Sequence, residues 1–456
     1  MTSRSASRRS PRRAEPAPRR APSDAVLRRI DDLRAFLDAS PTPDHAVDTA
    51  ATLLVAAGFH WFVSGTALPP ITRPTKGVIT RDGALVAFVW NPATITDGIR
   101  LVGAHTDSPG LHLKTRHGRR HGTLSTLGVE VYGSPLLNSW LDRDLELAGV
   151  VVLKDGSRRI WRSGAPVARI AQLAVHLDRQ VNDGGLVLDK HAHLRPLWTG
   201  SEVVVADVAG WAGVPAGSII EWDARFVDHQ PAEVIGSDGA LLASGRLDNL
   251  VSCWAATRAI EAASGDSCSV VALFDHEEVG SNSPTGAAGP LLADTLELLT
   301  TAPGVGRDGY LRTLANSLLV SADNSHGIHP NYPERHDPET APQLHAGVAL
   351  KRNASQRYAT TARSAAAFVE ACAQAGVDHQ VFASRNSIPC GSTIGPIAAT
   401  RLGIDTVDVG VPQLSMHSAR EVCSVRDADD LRRILTSFLS GTRKRVQSGK
   451  RASRRA

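Results

Sequence analysis

CSVVALFDHEEVGSNS, residues 268–283, opens as a β-rich apolar run and closes on four consecutive titratable side chains, Asp275, His276, Glu277 and Glu278. The run predicts a strand, and the polar residues that follow mark its end. Similar runs recur at IRLVGAH (99–105), SLLVSAD (317–323) and TVDVGV (406–411). Helical stretches, LVSCWAATRAIEAA (250–263) and TTARSAAAFVEACAQAG (360–376), alternate with them. Strands separated by helices predict an α/β fold built on a mixed, largely parallel sheet flanked by helices.

Residues 110–240 read differently, as β-like runs (TLGVEVYG, GVVVLKDG, SEVVVADV, SIIEWDAR) punctuated by Gly, Asp and Pro. This segment predicts a β-rich domain inserted into a catalytic domain made of residues 23–109 and 241–440. With 456 residues, 42% hydrophobic and 21% charged, the chain has an ordinary soluble composition and length for two or three domains. It lacks both a run of ~18 apolar residues and the apolar core of a secretory signal, so neither a membrane nor export is expected. Five scattered Cys without a C-x-x-C pair fit a reduced, cytoplasmic setting.

The formal charge of +4 hides an asymmetry. Residues 1–22 carry seven Arg against one Glu, and residues 441–456 carry seven Lys plus Arg and no acid, which leaves the body between them at −9. Both tails are poor in large apolar residues, so they are expected to be disordered. They also raise an alternative reading, nucleic-acid binding through phosphate contacts. No folded motif of that kind accompanies them, and an acidic body would oppose it.

The chemistry collects at strand ends, where open α/β sheets place their ligands. LVGAHTDSPG sets His105 after a strand with Asp107 two residues on, suiting a metal-binding imidazole and a carboxylate that orients it. Asp248 in SGRLDNLVSCWAA precedes a helix; alone it would read as an N-cap. Glu277 and Glu278 are adjacent like charges, unfavourable unless a cation neutralises them. In an extended segment neighbours face opposite ways, so one could bind metal while the other faces substrate. SADNSHGIHPN adds Asp323 and QLSMHSARE adds His417. His105, Asp248, Glu278, Asp323 and His417 form a mixed N/O donor set without thiolates, which suits zinc, manganese or cobalt in a catalytic site. One bridging carboxylate would let the five serve two ions, whereas a single zinc needs three or four.

The blocks HTDSPG, SGRLDN, DHEEVGS, SADNSHGIHPNYPERH, KRNASQRYAT, PCGSTIGP and VPQLSMHSARE, in this order across residues 25–440, resemble the aspartyl aminopeptidase family of two-metal exopeptidases. The resemblance implies that His105, Asp248 and Asp323 bind one ion and Asp248, Glu278 and His417 the other, with Asp248 the bridge. It implies Glu277 as general base, with Asp107 beside it in the catalytic machinery. Substrate contacts are implied at His326, Lys351, Tyr358, Asp323 and, from LAVHLDRQVN, His176. The expected function is release of N-terminal Asp or Glu from peptides by two-metal hydrolysis, with a less selective aminopeptidase as alternative. Two divalent ions, zinc foremost, are the implied cofactors. The resemblance further implies a homo-oligomer built from dimers, a dodecamer, formed through residues 110–240, with His176 reaching a neighbouring chain's pocket. SPLLNSW (134–140) departs from the family's Gly- and aromatic-rich segment ending in His-Thr-Trp. The departure is expected to leave the metal ligands untouched and to alter contacts between subunits.

Overall fold

Seven-residue strands such as Ala84–Trp90 and Cys268–Phe274 have every residue buried. Side chains alternate between the two faces of a strand, so such a run must be covered on both sides. Val271 and Leu273 join one apolar cluster, while Val270, Ala272 and Phe274 join another on the opposite face. The first cluster is roofed by helices Leu247–Glu261 and Val425–Ser440, the second by Leu291–Thr301 and Ile394–Leu402. The computed structural model describes residues 21–63, 65, 71–200, 204–301 and 304–441. The two basic tails predicted to be disordered lie outside them, apart from a few residues at their inner ends.

Among the described residues the main sheet has nine strands. Its centre runs Cys268–Phe274, Ile99–His105, Leu318–Ala322 and Asp405–Gly410, all mutually parallel. Antiparallel pairings of Ala84–Trp90 with Cys268–Phe274, and of Val348–Lys351 with Asp405–Gly410, make the whole mixed. The central parallel strands therefore end at one edge.

A second, antiparallel sheet takes all its strands from residues 110–228. Strand Ile219–Asp228 pairs with both Gly110–His121 and Asp144–Leu153, which closes the sheet into a ring. Its interior is filled by residues such as Leu111, Trp140, Leu147, Trp161 and Phe226. A smaller sheet joins Glu233–Ile235, Leu241–Ser244, Glu421–Ser424, Pro412–Leu414 and Ser325–His326.

One element reads wrongly from sequence. SEVVVADV, taken as β-like, contributes to a helix, Val204–Ala212. Val204 and Val208, four residues apart, are both buried, and Trp211 stacks on Trp161 with centroids 5.6 Å apart. Burial at helical spacing against the closed sheet outweighs the β preference of the valines.

Candidate metal centre

The parallel order Cys268–Phe274, Ile99–His105, Leu318–Ala322 brings three strand ends side by side. Phe274 pairs with His105, and Asp323 follows the last residue of the third strand. His105 Nε2 lies 3.4 Å from Asp248 Oδ1 and 3.6 Å from Asp323 Oδ1. On the other side, His417 Nε2 lies 3.7 Å from Asp248 Oδ2 and 3.4 Å from Glu278 Oε2. Three donor groups result, His105–Asp248–Asp323, Asp248–Glu278–His417 and His105–Glu277–Glu278, the atoms of each lying within 4.8 Å of one another. Asp248 turns one oxygen to each of the first two.

The donors fit a divalent ion on three grounds. Ligands about 2.0–2.1 Å from a tetrahedral zinc stand roughly 3.3 Å apart, close to the spacings here. Asp248 Oδ1 is buried without a hydrogen-bond partner, which a cation would supply. Five carboxylates, Asp107, Asp248, Glu277, Glu278 and Asp323, face two histidines and Lys351, an excess of negative charge that burial makes costly without a cation. Burial and the neighbouring carboxylates of Asp323, Asp107 and Asp248 push Glu277 up to about 8. Glu278 is raised too, by burial and then by Asp248.

Each ligand is held from behind. His105 Nδ1 lies 3.0 Å from the Asp107 carbonyl oxygen and 3.4 Å from Asp107 Oδ1, so Nε2 is directed at the carboxylates. Asp107 accepts the Glu277 N–H on Oδ1 at 3.0 Å and the Glu278 N–H on Oδ2 at 3.1 Å. These bonds, with His276 in the left-handed region at φ 62°, wind Glu277–Val279 into a 3₁₀ turn. The extended geometry expected for the two glutamates is therefore replaced by a turn, which leaves a carboxylate oxygen of each within 4.8 Å of the other and of His105. Asp107 itself enters none of the three donor groups.

His417 Nδ1 lies 3.0 Å from the Ser134 carbonyl oxygen, and the Leu136 N–H donates to the His417 carbonyl at 2.9 Å. SPLLNSW thus touches His417. It does so through backbone atoms, which its altered side chains leave available.

Beside the donors, Lys351 is buried with Nζ 3.5 Å from Asp323 Oδ2 and 5.3 Å from the centre of the Tyr358 ring. Burial opposes ionisation of Asp323, but Lys351 and His105 together outweigh it and hold the carboxyl below the ordinary range. Tyr358 packs on Phe382, whose ring also meets that of His326. His176 takes no part in this cluster within its own chain; it lies in the exposed stretch 171–180.

Sequence reasoning overlooked Glu421. This fully buried carboxylate accepts the Asp248 N–H on Oε2 at 2.9 Å and the His417 N–H on Oε1 at 2.7 Å. Its place four residues after His417, in a block already singled out, was the available signal. Asp408 was also missed; it accepts the Ala359 N–H at 2.6 Å and the Thr393 hydroxyl at 2.5 Å, tying KRNASQRYAT to PCGSTIGP from beneath.

Residues 36–439 match the family described as Aminopeptidase I zinc metalloprotease (M18). A Streptomyces coelicolor protein named Probable M18 family aminopeptidase 2 is 46% identical over 435 residues, 92% of this chain and 99% of the relative. Among solved structures, a chain of the Ape4 and Nbr1 complex superposes with a TM-score of 0.86 at 30% identity, over 92% of this chain and 88% of that one. The S. cerevisiae mApe1 dodecamer gives 0.78 at 25% identity, over 91% and 96%. A family match across nearly the whole folded body, on a fold that gathers candidate metal donors at its strand ends, leads to one conclusion: the chain belongs to the M18 family of zinc aminopeptidases.

Proposed function

We propose that the protein is a two-metal aminopeptidase that releases N-terminal Asp and Glu from peptides. The observation that carries this is Asp248, whose two carboxylate oxygens face separate donor groups. His105, Asp248 and Asp323 would hold one ion, and Asp248, Glu278 and His417 the other, zinc foremost. When bound, two such ions polarise a scissile carbonyl and lower the pKa of water toward neutrality. Glu277, outside both of those ligand sets, takes the water's proton and returns it to the leaving amine. Asp107 positions Glu277 by accepting its N–H.

Lys351 is the cation for the substrate's acidic side chain. Its ammonium has three donors and uses one toward Asp323. Tyr358 and His326 border that position, and Asp323 contributes from the metal side. The alternative of broader specificity would follow if Lys351 served Asp323 alone.

Residues 110–240 serve assembly in this reading, and the chain works as a homo-oligomer, a dodecamer like the mApe1 structure. Support comes from the stretch around His176: Leu173, Leu177 and Val187 are 64%, 75% and 85% exposed. Apolar side chains this exposed within one segment call for a covering partner. His176 would then enter a neighbouring chain's pocket. No helix among the described residues is long and apolar enough to cross a membrane. A cytoplasmic location agrees with five free cysteines. The nucleic-acid alternative depends on tails outside the described residues.

Hydrolysis of a panel of aminoacyl chromogenic amides, with and without chelator, tests the proposal. Asp and Glu amides should be cleaved fastest and chelator should stop it; preference for Leu or Ala would refute the acidic specificity.

A further inference from the structure

The antiparallel sheet reaches the turn that carries Glu277 through the hydroxyl of Tyr132. Tyr132 ends strand Leu124–Tyr132 and pairs with Gly110, which puts it on the same face as His112, two residues along. His112 in turn pairs with Arg225 on Ile219–Asp228. Three neighbouring strands thus present Arg225, His112 and Tyr132 together. The His112 and Tyr132 rings stack, 4.6 Å apart and 9° from parallel, and the Arg225 guanidinium lies 5.3 Å from the Tyr132 ring centre. His276, the residue before Glu277, meets the Tyr132 ring edge-on at 6.5 Å.

The ring is therefore held in place, and its hydroxyl donates to Asp107 Oδ2 at 2.7 Å. Asp107 is fully buried, and its two oxygens already receive the Glu277 and Glu278 amides. Without the hydroxyl, the carboxylate would keep both amides but lose the contact from the antiparallel sheet that fixes its rotation. Any rotation of Asp107 moves the turn that aims both glutamates.

We propose that Tyr132 is a positioning residue: clamped by His112 and Arg225, it locks Asp107, and Asp107 locks the turn that presents Glu277 to the reacting water. The role assigned to Glu277 rests on the function proposed above; the hydrogen-bond relay does not.

Tyr132→Phe tests it, because the ring and its stack survive and only the hydroxyl goes. With the metal-loaded protein, kcat should fall about 10- to 100-fold, the range for partners that orient metal-site residues. KM should stay within about twofold and metal content should be unchanged. Independently of activity, amide hydrogen exchange in the peptide covering residues 275–281 should speed up, while peptides from elsewhere in the antiparallel sheet keep their rates. If the wild type hydrolyses no aminoacyl amide, the functional reading fails while the exchange result still reads the relay. An unchanged kcat in an active enzyme overturns the proposal, as does a loss of kcat that tracks loss of metal, a rise in KM alone, or unchanged exchange at 275–281.

Discussion

Glu421→Gln isolates a buried carboxylate that holds the backbones of two candidate metal donors. Both of its oxygens are in use: Oε2 accepts the Asp248 N–H at 2.9 Å, and Oε1 accepts the His417 N–H at 2.7 Å and the Gln413 side-chain amide at 3.3 Å. Glutamine offers one acceptor oxygen, so in either orientation its NH₂ confronts at least one backbone N–H. Leaving a buried donor unpaired costs about 1–3 kcal/mol. At about 1.4 kcal/mol per tenfold, that is roughly 5- to 150-fold in an equilibrium constant. Asp248 and His417 share a donor group, so the loss should appear as weaker zinc binding. Competition against a chromogenic chelator would measure the zinc Kd, with thermal unfolding of the metal-free protein run in parallel. A Kd within about twofold of wild type would refute the reasoning. So would a drop in metal-free stability with zinc affinity intact, since Glu421 would then support only the fold.

Glu277→Gln should remove most turnover while metal content stays near that of the wild type, whereas Glu278→Gln should lose metal because a charged donor is gone; metal analysis beside kcat separates the two. Lys351→Ala should narrow the preference for acidic over neutral N-terminal residues by roughly 5- to 150-fold, since an unpaired acid in a closed pocket costs about 1–3 kcal/mol, read as a ratio of kcat/KM values. Mixing Glu277→Gln chains with His176→Ala chains and reassembling them should recover activity if His176 acts across an interface, and should recover none if it acts within its own chain. Burial, with Arg162 and Arg246 nearby, lowers buried His45 to about 4, so the folded state binds fewer protons than the unfolded one between pH 6.5 and 4. Stability should fall as pH drops through that window, by up to about 3 kcal/mol, and His45→Gln should flatten the fall in urea titrations at pH 7, 6, 5 and 4.

The central strands and most helices are legible along the chain because their signals are local. IRLVGAH and CSVVALF are seven-residue runs rich in apolar, strand-favouring residues, and the structure forms them as Ile99–His105 and Cys268–Phe274. Asp248, Glu277, Glu278, Asp323 and His417 could be nominated because together they make a His, Asp and Glu donor set of the kind that binds catalytic metals, and the family blocks put them in order. Val204–Ala212 was misread because its valines favour strands locally, and only packing against Trp161 selects the helix.

What tertiary structure alone decides are the contacts between distant residues. Sequence order separates Tyr132 from Asp107 by 25 positions, Glu421 from Asp248 by 173 and His417 from Ser134 by 283. A tyrosine or a glutamate at a strand end has no local property that marks it as the support of a candidate metal donor. That role comes from burial, which removes water as the competing partner and leaves one donor and one acceptor to satisfy each other. Residue types and local pattern therefore name the groups that can do the chemistry, while the folded geometry selects the ones that aim them.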